Sequence, residues 1–281
     1  MKKILVTGAN GQLGSELAVL SSNYPQYEWV FADRTQITLD DLDILKVQLN
    51  QIQPDVIFNC GAYTAVDKAE TEKELAFTIN DSAVELVAKY TQENNAKLIH
   101  ISTDYVFDGT SSIALNENED TNPVNVYGAS KRAGEIVCLR ENPNSIIIRT
   151  SWVYSKFGNN FVKTMQRLMQ EREAINVVND QIGSPTYAAD LAQAMIDILE
   201  FPEWTPGIYN YSNEGEISWY EFALSIREFG GYSCNVGGIS SASYPTPAKR
   251  PEFSLLDKKK IKTIYNLDIP NYKESLKKMF I

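Results

Sequence analysis

Val6-Thr7-Gly8-Ala9-Asn10-Gly11-Gln12-Leu13-Gly14 sets glycines at 8, 11 and 14, after the apolar run Ile4-Leu5-Val6 and before a helix-forming stretch. Each glycine has a separate reason to be there. Gly8 lets the chain turn tightly, Gly11 lets a pyrophosphate approach the backbone, and Gly14 lets helix and strand pack closely. The helix that opens at Gln12 offers free N–H groups and a partial positive charge to phosphate. The nonapeptide therefore reads as a dinucleotide cradle. Further on, Asp33 ends the second strand-like run and can accept hydrogen bonds from an adenosine ribose. Arg34 beside it suits a 2′-phosphate instead, so the cofactor is expected to be NADPH or NADH.

Strand and helix signals alternate on both sides of that segment. Lys3–Thr7, Trp29–Ala32, Val56–Asn59, Leu98–Ser102 and Ser145–Arg149 read as buried strands. Gln12–Leu20, Leu42–Gln51, Ala83–Tyr90 and Val126–Leu139 read as the helices between them. Such βαβ repetition predicts an α/β fold, a Rossmann-like doubly wound parallel sheet with right-handed crossovers. After Arg149 the alternation weakens. Helical spacing returns at Asn160–Gln170, Ala188–Leu199 and Trp219–Glu228, among turns such as Gly183-Ser184-Pro185, Thr205-Pro206-Gly207 and Tyr244-Pro245-Thr246-Pro247. The expected organisation is a nucleotide-binding domain over residues 1–150, with a segment around 187–205 returning to it. A smaller α/β C-terminal substrate-binding region is expected over 151–186 and 206–281.

Composition narrows the function classes. The net charge is −10, which disfavours nucleic acid and anionic membranes as partners. No apolar run has the length of a membrane span, and Ile4–Val6 is too short for the core of a secretory leader. The chain is therefore expected to be a cytoplasmic protein. The three cysteines, Cys60, Cys138 and Cys234, lack CxxC spacing and suggest neither a disulfide framework nor a zinc site. The single histidine, His100, ends a strand-like run and reads as a packed structural residue.

Of the fifteen tyrosines only Tyr127 has a lysine four residues on, Lys131, which puts both on one helix face. Hydride addition to a ketone builds negative charge on oxygen and needs a proton. A free phenol, with a pKa of about 10, gives its proton up slowly near neutrality. A nearby ammonium should favour the phenolate. Ser102-Thr103 ends the fourth strand, where ligands of open α/β sheets bind, and Thr103 could set a hydroxyl beside the reacting oxygen.

Together these residues resemble the extended short-chain dehydrogenase/reductase family. The likeness is closest to the branch that reduces dTDP-4-dehydro-6-deoxy-L-mannose to dTDP-L-rhamnose. It is carried by Ala62-Tyr63-Thr64-Ala65-Val66-Asp67-Lys68-Ala69-Glu70, Ser102-Thr103-Asp104-Tyr105-Val106-Phe107-Asp108-Gly109 and Asn125-Val126-Tyr127-Gly128. Arg149-Thr150-Ser151-Trp152-Val153-Tyr154, Asn179-Asp180-Gln181-Ile182-Gly183-Ser184-Pro185-Thr186 and Tyr244-Pro245-Thr246-Pro247-Ala248-Lys249-Arg250-Pro251 continue it in order. The resemblance implies Tyr127 as proton donor, Lys131 as its electrostatic partner and Thr103 as the tuning hydroxyl. It implies a nucleotide-sugar substrate held by Thr103, Asp104 and Trp152, with Arg250 as a diphosphate or loop anchor. Gly11, Gln12, Leu13, Asp33, Ala62, Tyr63, Thr64 and Ile101 would line the cofactor.

Two departures stand out. Near the adenine the family often has Asp followed by an apolar residue, where this chain has Thr38-Leu39 and then Asp40. Some relatives dimerise through a Mg²⁺ held by glutamates; Glu16 matches one position, but Ala189 falls where another carboxylate would be. A hard cation needs several oxygens, so no structural metal is expected, and the chain should be a monomer or homodimer. Two rival readings remain at this level. One is another nucleotide-sugar reductase, epimerase or dehydratase, although Thr103-Asp104-Tyr105 lacks the Glu that dehydratases generally add. The other is a non-catalytic NAD(P)-binding subunit, as in relatives that regulate methionine adenosyltransferase.

Overall fold

Ile4, Leu5 and Val6 are all fully buried in β1 (Lys2–Thr7), as in a strand covered on both faces. The computed structural model describes residues 1–281. β1 pairs in parallel with β2 (Tyr27–Ala32) on one side and with β3 (Val56–Asn59) on the other. β4 (Lys97–Thr103) lies beside β3, and β5 (Ile146–Thr150) beside β4, again in parallel. A sixth strand, Gly207–Asn210, closes the edge next to β5. The chain moves outward from β1 to β2 and then returns to place β3 on the other side. That reversal opens a crevice between the carboxyl ends of β1 and β3, the place where doubly wound sheets hold ligands.

Helices cover both faces. On one, α1 (Gln12–Leu20) and the helix Ala188–Glu200 bury Leu13, Leu17, Leu191, Met195 and Ile198 against Ile4 and Val6. On the other, α2 (Leu42–Ile52) and the helices Ala83–Glu93 and Val126–Glu141 pack Leu45, Leu49, Val84, Val87 and Cys138 against Leu5, Ile57 and Ile147. Side chains at alternate positions of one strand thus serve two separate cores. A third core gathers Val162 and Met165 of the helix Phe161–Glu171, Phe222 and Ile226 of the helix Trp219–Gly230, and Leu276. The parallel strands Ala174–Val178 and Asn235–Ile239 belong to this outer unit.

The five strands and the first four helices read from sequence are present, with ends shifted by a few residues. The expected boundary at 206 needs correction. Gly207–Asn210 falls in the range assigned to the substrate region, yet it is an edge strand of the main sheet. Ile261 and Tyr265, further along, also enter the first core. The strand Gly-Ile-Tyr-Asn is too short to show a period, and only its long-range pairing with β5 defines it.

Candidate active site

The glycine turn is built as its spacing suggests. Gly8 has φ +67°, and a Cβ there would lie 2.8 Å from Gly61 backbone atoms on the loop after β3. A Cβ on Gly14 would lie 2.5 Å from the Gly8 carbonyl oxygen. Both glycines therefore allow backbone contacts that no other residue permits. Gly11 is the N-cap of α1 and supplies no side-chain cap, so the first N–H groups of the helix face the crevice without a side-chain partner. A dinucleotide diphosphate fits that donor set.

A cleft of about 860 Å³ opens beside the turn. Gly8, Gly11, Gln12, Leu13 and Gly14 line it, with Arg34, Leu39, Ala62, Tyr63, Thr64 and Ile101. Thr103, Asp104, Tyr127, Lys131 and Trp152 line the same cleft. Residues spread over the first 152 positions are thus brought to one site. Gly61, Lys68, Thr150, Val153, Gly158 and Asn159 also line it, and sequence reasoning missed them. Signals existed for Gly61, a glycine two residues past a buried strand, and for Lys68, Thr150 and Val153, which lie in the stretches that carry the family resemblance.

The residues expected at the adenosine end divide. Arg34 lines the cleft and pairs with Asp40 at 2.7 Å, its side chain largely exposed. Asp33 does not line it. Its carboxylate accepts from the Thr35 amide at 2.8 Å, the Thr35 hydroxyl at 2.7 Å and the Asn10 amide at 3.3 Å. Those bonds hold the carboxyl below its ordinary range, the Thr35 hydroxyl first among them. Thr38 is also outside the cleft, its amide donating to Gln48 at 2.9 Å, whereas Leu39 reaches in and abuts Gly61. Tyr63 is clamped from behind. Its amide donates to Asn80 Oδ1 at 2.9 Å, its carbonyl accepts from Asn80 Nδ2 at 3.0 Å, and its hydroxyl donates to Glu72 at 2.6 Å.

The helix Val126–Glu141 delivers Tyr127 and Lys131. Asn125 caps it, its Oδ1 accepting from the Gly128 amide at 2.7 Å while its Nδ2 donates to the Lys249 carbonyl at 2.7 Å. A Cβ on Gly128 would sit 2.2 Å from the Tyr105 carbonyl oxygen, so only glycine lets the helix press this close to the Thr103–Tyr105 turn. Tyr127 and Tyr105 meet edge to face, centroids 5.6 Å apart. Thr103 Oγ1 donates to Asp104 Oδ1 at 3.0 Å and accepts from the Tyr105 amide at 3.2 Å.

The electrostatics differ in one respect from expectation. Burial pushes the Tyr127 phenol up to about 12; the neighbouring Thr103 hydroxyl lowers it and the Asp104 carboxylate raises it. Lys131 is not among the groups that move it. Burial pulls Lys131 down to about 8, with Glu135, Cys138 and Cys60 opposing. Its ammonium is anchored elsewhere, donating to the Ile101 carbonyl at 2.6 Å. The four-residue spacing puts the two side chains on one face, but the carbonyl of β4 takes the cation. Burial also raises Asp104, to about 6, against the lowering influence of Ser254 and Thr103.

Trp152 lines the opposite wall with φ +49°, a conformation few non-glycine residues adopt. Its indole stacks on Trp219 at 3.7 Å, and Gly183 leaves room for the ring. Arg250 is not in the cleft. It makes a two-pronged pair with Asp67, at 3.0 and 2.8 Å, and donates to the Ala248 carbonyl, tying the C-terminal segment to the short helix Val66–Ala69 that follows β3. Of the two roles the resemblance left open to it, this geometry is that of a loop anchor. Glu16, which matches one glutamate position of the metal-bridged relatives, is buried and accepts from the Ser155 hydroxyl at 2.6 Å.

The profile of the family described as the RmlD substrate binding domain matches residues 1–281. The chain belongs to the RmlD substrate binding domain family. A dTDP-4-dehydrorhamnose reductase of Aggregatibacter actinomycetemcomitans is 40% identical over 287 aligned positions, covering 99% of this chain and 98% of that protein. The crystal structure of the Bacillus anthracis dTDP-4-dehydrorhamnose reductase in complex with NADP superimposes with a TM-score of 0.94 at 40% identity, covering 100% and 99% of the two chains. A reductase of the same name from Clostridium acetobutylicum gives 0.93 at 36% identity, with 99% and 98% covered. Members of the RmlD family thus share this chain's whole length, outer unit included. No helix is long and apolar enough to cross a membrane.

Proposed function

We propose that the chain is an NAD(P)H-dependent reductase that converts dTDP-4-dehydrorhamnose to dTDP-L-rhamnose. The observation that carries the reading is the meeting of Thr103, Tyr127 and Lys131 in one cleft with the glycine turn. A reduced nicotinamide dinucleotide bound along that turn supplies the hydride. The protein's part is to orient the ketone and protonate its oxygen. Tyr127, fully a phenol at neutral pH, is loaded with the proton that the developing alkoxide takes. Thr103 lines the same cleft, and its one hydroxyl proton, which rests on Asp104 Oδ1, turns to that oxygen to steady it while the Tyr105 amide holds Oγ1 in place. The Lys131 ammonium, anchored on Ile101, serves the ribose next to the nicotinamide. Trp152 offers a flat apolar face to the deoxysugar, and its stack on Trp219 holds that face in place.

NADPH is the expected cofactor of choice. Arg34, though paired with Asp40, keeps a largely exposed guanidinium at the adenosine end, which suits a 2′-phosphate, and the Asp33 carboxylate is taken up by Thr35 and Asn10. The proposed location is the cytoplasm, whose reducing conditions suit three free cysteines. The test is to incubate the protein with NADPH and dTDP-4-dehydrorhamnose. Cofactor oxidation matched by dTDP-L-rhamnose formation supports the reading; no oxidation with either cofactor refutes it.

A further inference from the structure

Helix α1 carries the dinucleotide turn at its N-terminus, and one face of it is stitched to the outer unit. Gln12 and Glu16, one helical turn apart, both reach the segment 153–160 that follows Trp152. Gln12 Nε2 donates to the Val153 carbonyl at 3.3 Å, and Gln12 Oε1 accepts from Asn160 Nδ2 at 2.9 Å. Glu16 accepts from the Ser155 hydroxyl, whose oxygen accepts in turn from the Phe157 amide at 2.9 Å. Partners 139 to 148 positions apart in the chain thus meet along one helix face.

Backbone groups fix the sense of the amide pair at both ends. Asn160 is the N-cap of the helix Phe161–Glu171, and its Oδ1 accepts from the Lys163 amide at 3.1 Å. Its NH₂ is therefore turned away from the helix and donates to Gln12 Oε1 and to the Ser155 carbonyl, the latter at 2.8 Å. The Val153 carbonyl can only accept, so the NH₂ of Gln12 faces it and the Gln12 oxygen faces Asn160. Donor meets acceptor at each link. The segment so gripped is itself firm, because Lys163 Nζ donates to the Lys156 and Gly158 carbonyls at 2.9 Å each.

We propose that Asn160 is a positioning residue that acts through Gln12, coupling the cofactor turn to the wall that carries Trp152. Gln12 is the first residue of α1, and it lines the cleft together with Trp152, Val153, Gly158 and Asn159. The tie reaches the Trp152 wall from two sides. Val153, bonded to Gln12, follows Trp152 in the chain. Phe161, next to Asn160, packs on Trp219 with centroids 4.6 Å apart, and Trp219 stacks on Trp152. A dinucleotide seated on the turn fixes Gln12, and through Asn160 it fixes the strand Val153–Tyr154 and the start of the helix Phe161–Glu171. Without the tie the turn still binds cofactor, because its glycines and the α1 amides are untouched. The sugar wall then loses its register with the cofactor.

This inference rests on the reductase reading for its meaning in catalysis, but its first test is independent of turnover. Asn160→Ser keeps the helix cap, since serine caps about as well as asparagine, and removes the NH₂. Backbone hydrogen exchange is followed by mass spectrometry with and without NADP⁺. In the wild type, NADP⁺ should slow exchange in residues 8–14 and also in 153–160, the latter by about threefold or more. In Asn160→Ser the turn should stay protected, while protection of 153–160 falls to roughly half or less. Wild-type protection confined to the turn overturns the proposal, as does equal protection of 153–160 in both proteins. Reductase kinetics supply the second test. Asn160→Ser should lower kcat/KM for the sugar nucleotide about tenfold, the scale of one or two hydrogen bonds, and leave KM for NADPH within about twofold. In a Gln12→Ala background the same substitution should bring no further loss. A full second loss there would show that Asn160 acts without Gln12 and overturns the proposal, as does equal weakening of both substrates. If Asn160→Ser does not fold, Gln12→Ala carries the exchange test, because it removes the same bond from the other side. Transmitted protection without turnover would refute the reductase reading and leave the coupling standing; no protection by NADP⁺ or NAD⁺ anywhere would overturn both.

Discussion

The pH dependence of kcat/KM for the cofactor tests the Lys131 environment in the free enzyme. Burial lowers the amine to about 8, and the groups that face it are Glu135, Cys138, Cys60 and the neutral His100. The ammonium is the form proposed to hold the ribose, so activity should be full below that pKa and fall above it. For a single group at about 8, roughly nine-tenths is ammonium at about pH 7 and roughly one-tenth at about pH 9. kcat/KM should therefore drop about tenfold over that interval and approach a slope of −1 beyond it. A second limb is expected on the acid side, where Asp104 titrates at about 6 and its carboxylate no longer receives the Thr103 hydroxyl as an anion. Lys131→Arg supplies a cation that does not titrate in this range, so its profile should lose the alkaline limb at whatever reduced rate it retains. The linkage to stability has the opposite sense to the usual salt bridge. A lysine lowered in the folded state binds fewer protons than the unfolded chain. Its contribution to stability therefore rises as pH climbs from about 8 to the unfolded value. An alkaline limb above about pH 10, or a flat profile across the interval, would refute this account of Lys131.

Three further outcomes follow from the geometry. Arg34→Ala should raise KM for NADPH by about tenfold, one charge-assisted phosphate contact, and leave KM for NADH near its wild-type value; equal effects on the two cofactors would remove Arg34 from phosphate recognition. Gly14→Ala puts a methyl 2.5 Å from the Gly8 carbonyl oxygen and 2.7 Å from Ala9 Cα, so fluorescence titration should show weakened cofactor binding and thermal melts a lowered Tm. Glu135 is fully buried and receives Arg149 through two bonds of 2.8 and 2.7 Å and Ser102 at 2.6 Å. Its replacement by Ala strands the buried guanidinium and should cost about 3–5 kcal/mol in urea unfolding, and a cost under about 1 kcal/mol would show that the pair relaxes into water.

The sheet and its cradle were legible because their signals are local. Three glycines at fixed offsets, buried strands and helices of ordinary length all lie within short windows of sequence. The Tyr127–Lys131 spacing and Thr103 at a strand end were legible for the same reason, and all three line the cleft. What escaped depends on pairings across long separations. Gly207–Asn210 is defined by its register with β5 rather than by its four residues. Asp33 is a local exception: Thr35, two residues on, binds the carboxylate that the sequence offers to a ribose. Arg250 finds Asp67 across 183 positions. Lys131 shows the same limit at the site itself. Helical spacing places it beside Tyr127, but the β4 carbonyl and His100 decide where its charge goes. His100, read as a packed structural residue, is indeed buried.

The role of the Tyr127 hydroxyl is tested most directly by single-turnover product formation in wild type and Tyr127→Phe, each loaded with NADPH and mixed with dTDP-4-dehydrorhamnose. Wild type should form dTDP-L-rhamnose as the cofactor is oxidised. Tyr127→Phe should bind NADPH with unchanged affinity and form product slower by a factor on the order of a hundred or more. Product formation by Tyr127→Phe at the wild-type rate would contradict the assignment of that phenol as the proton donor.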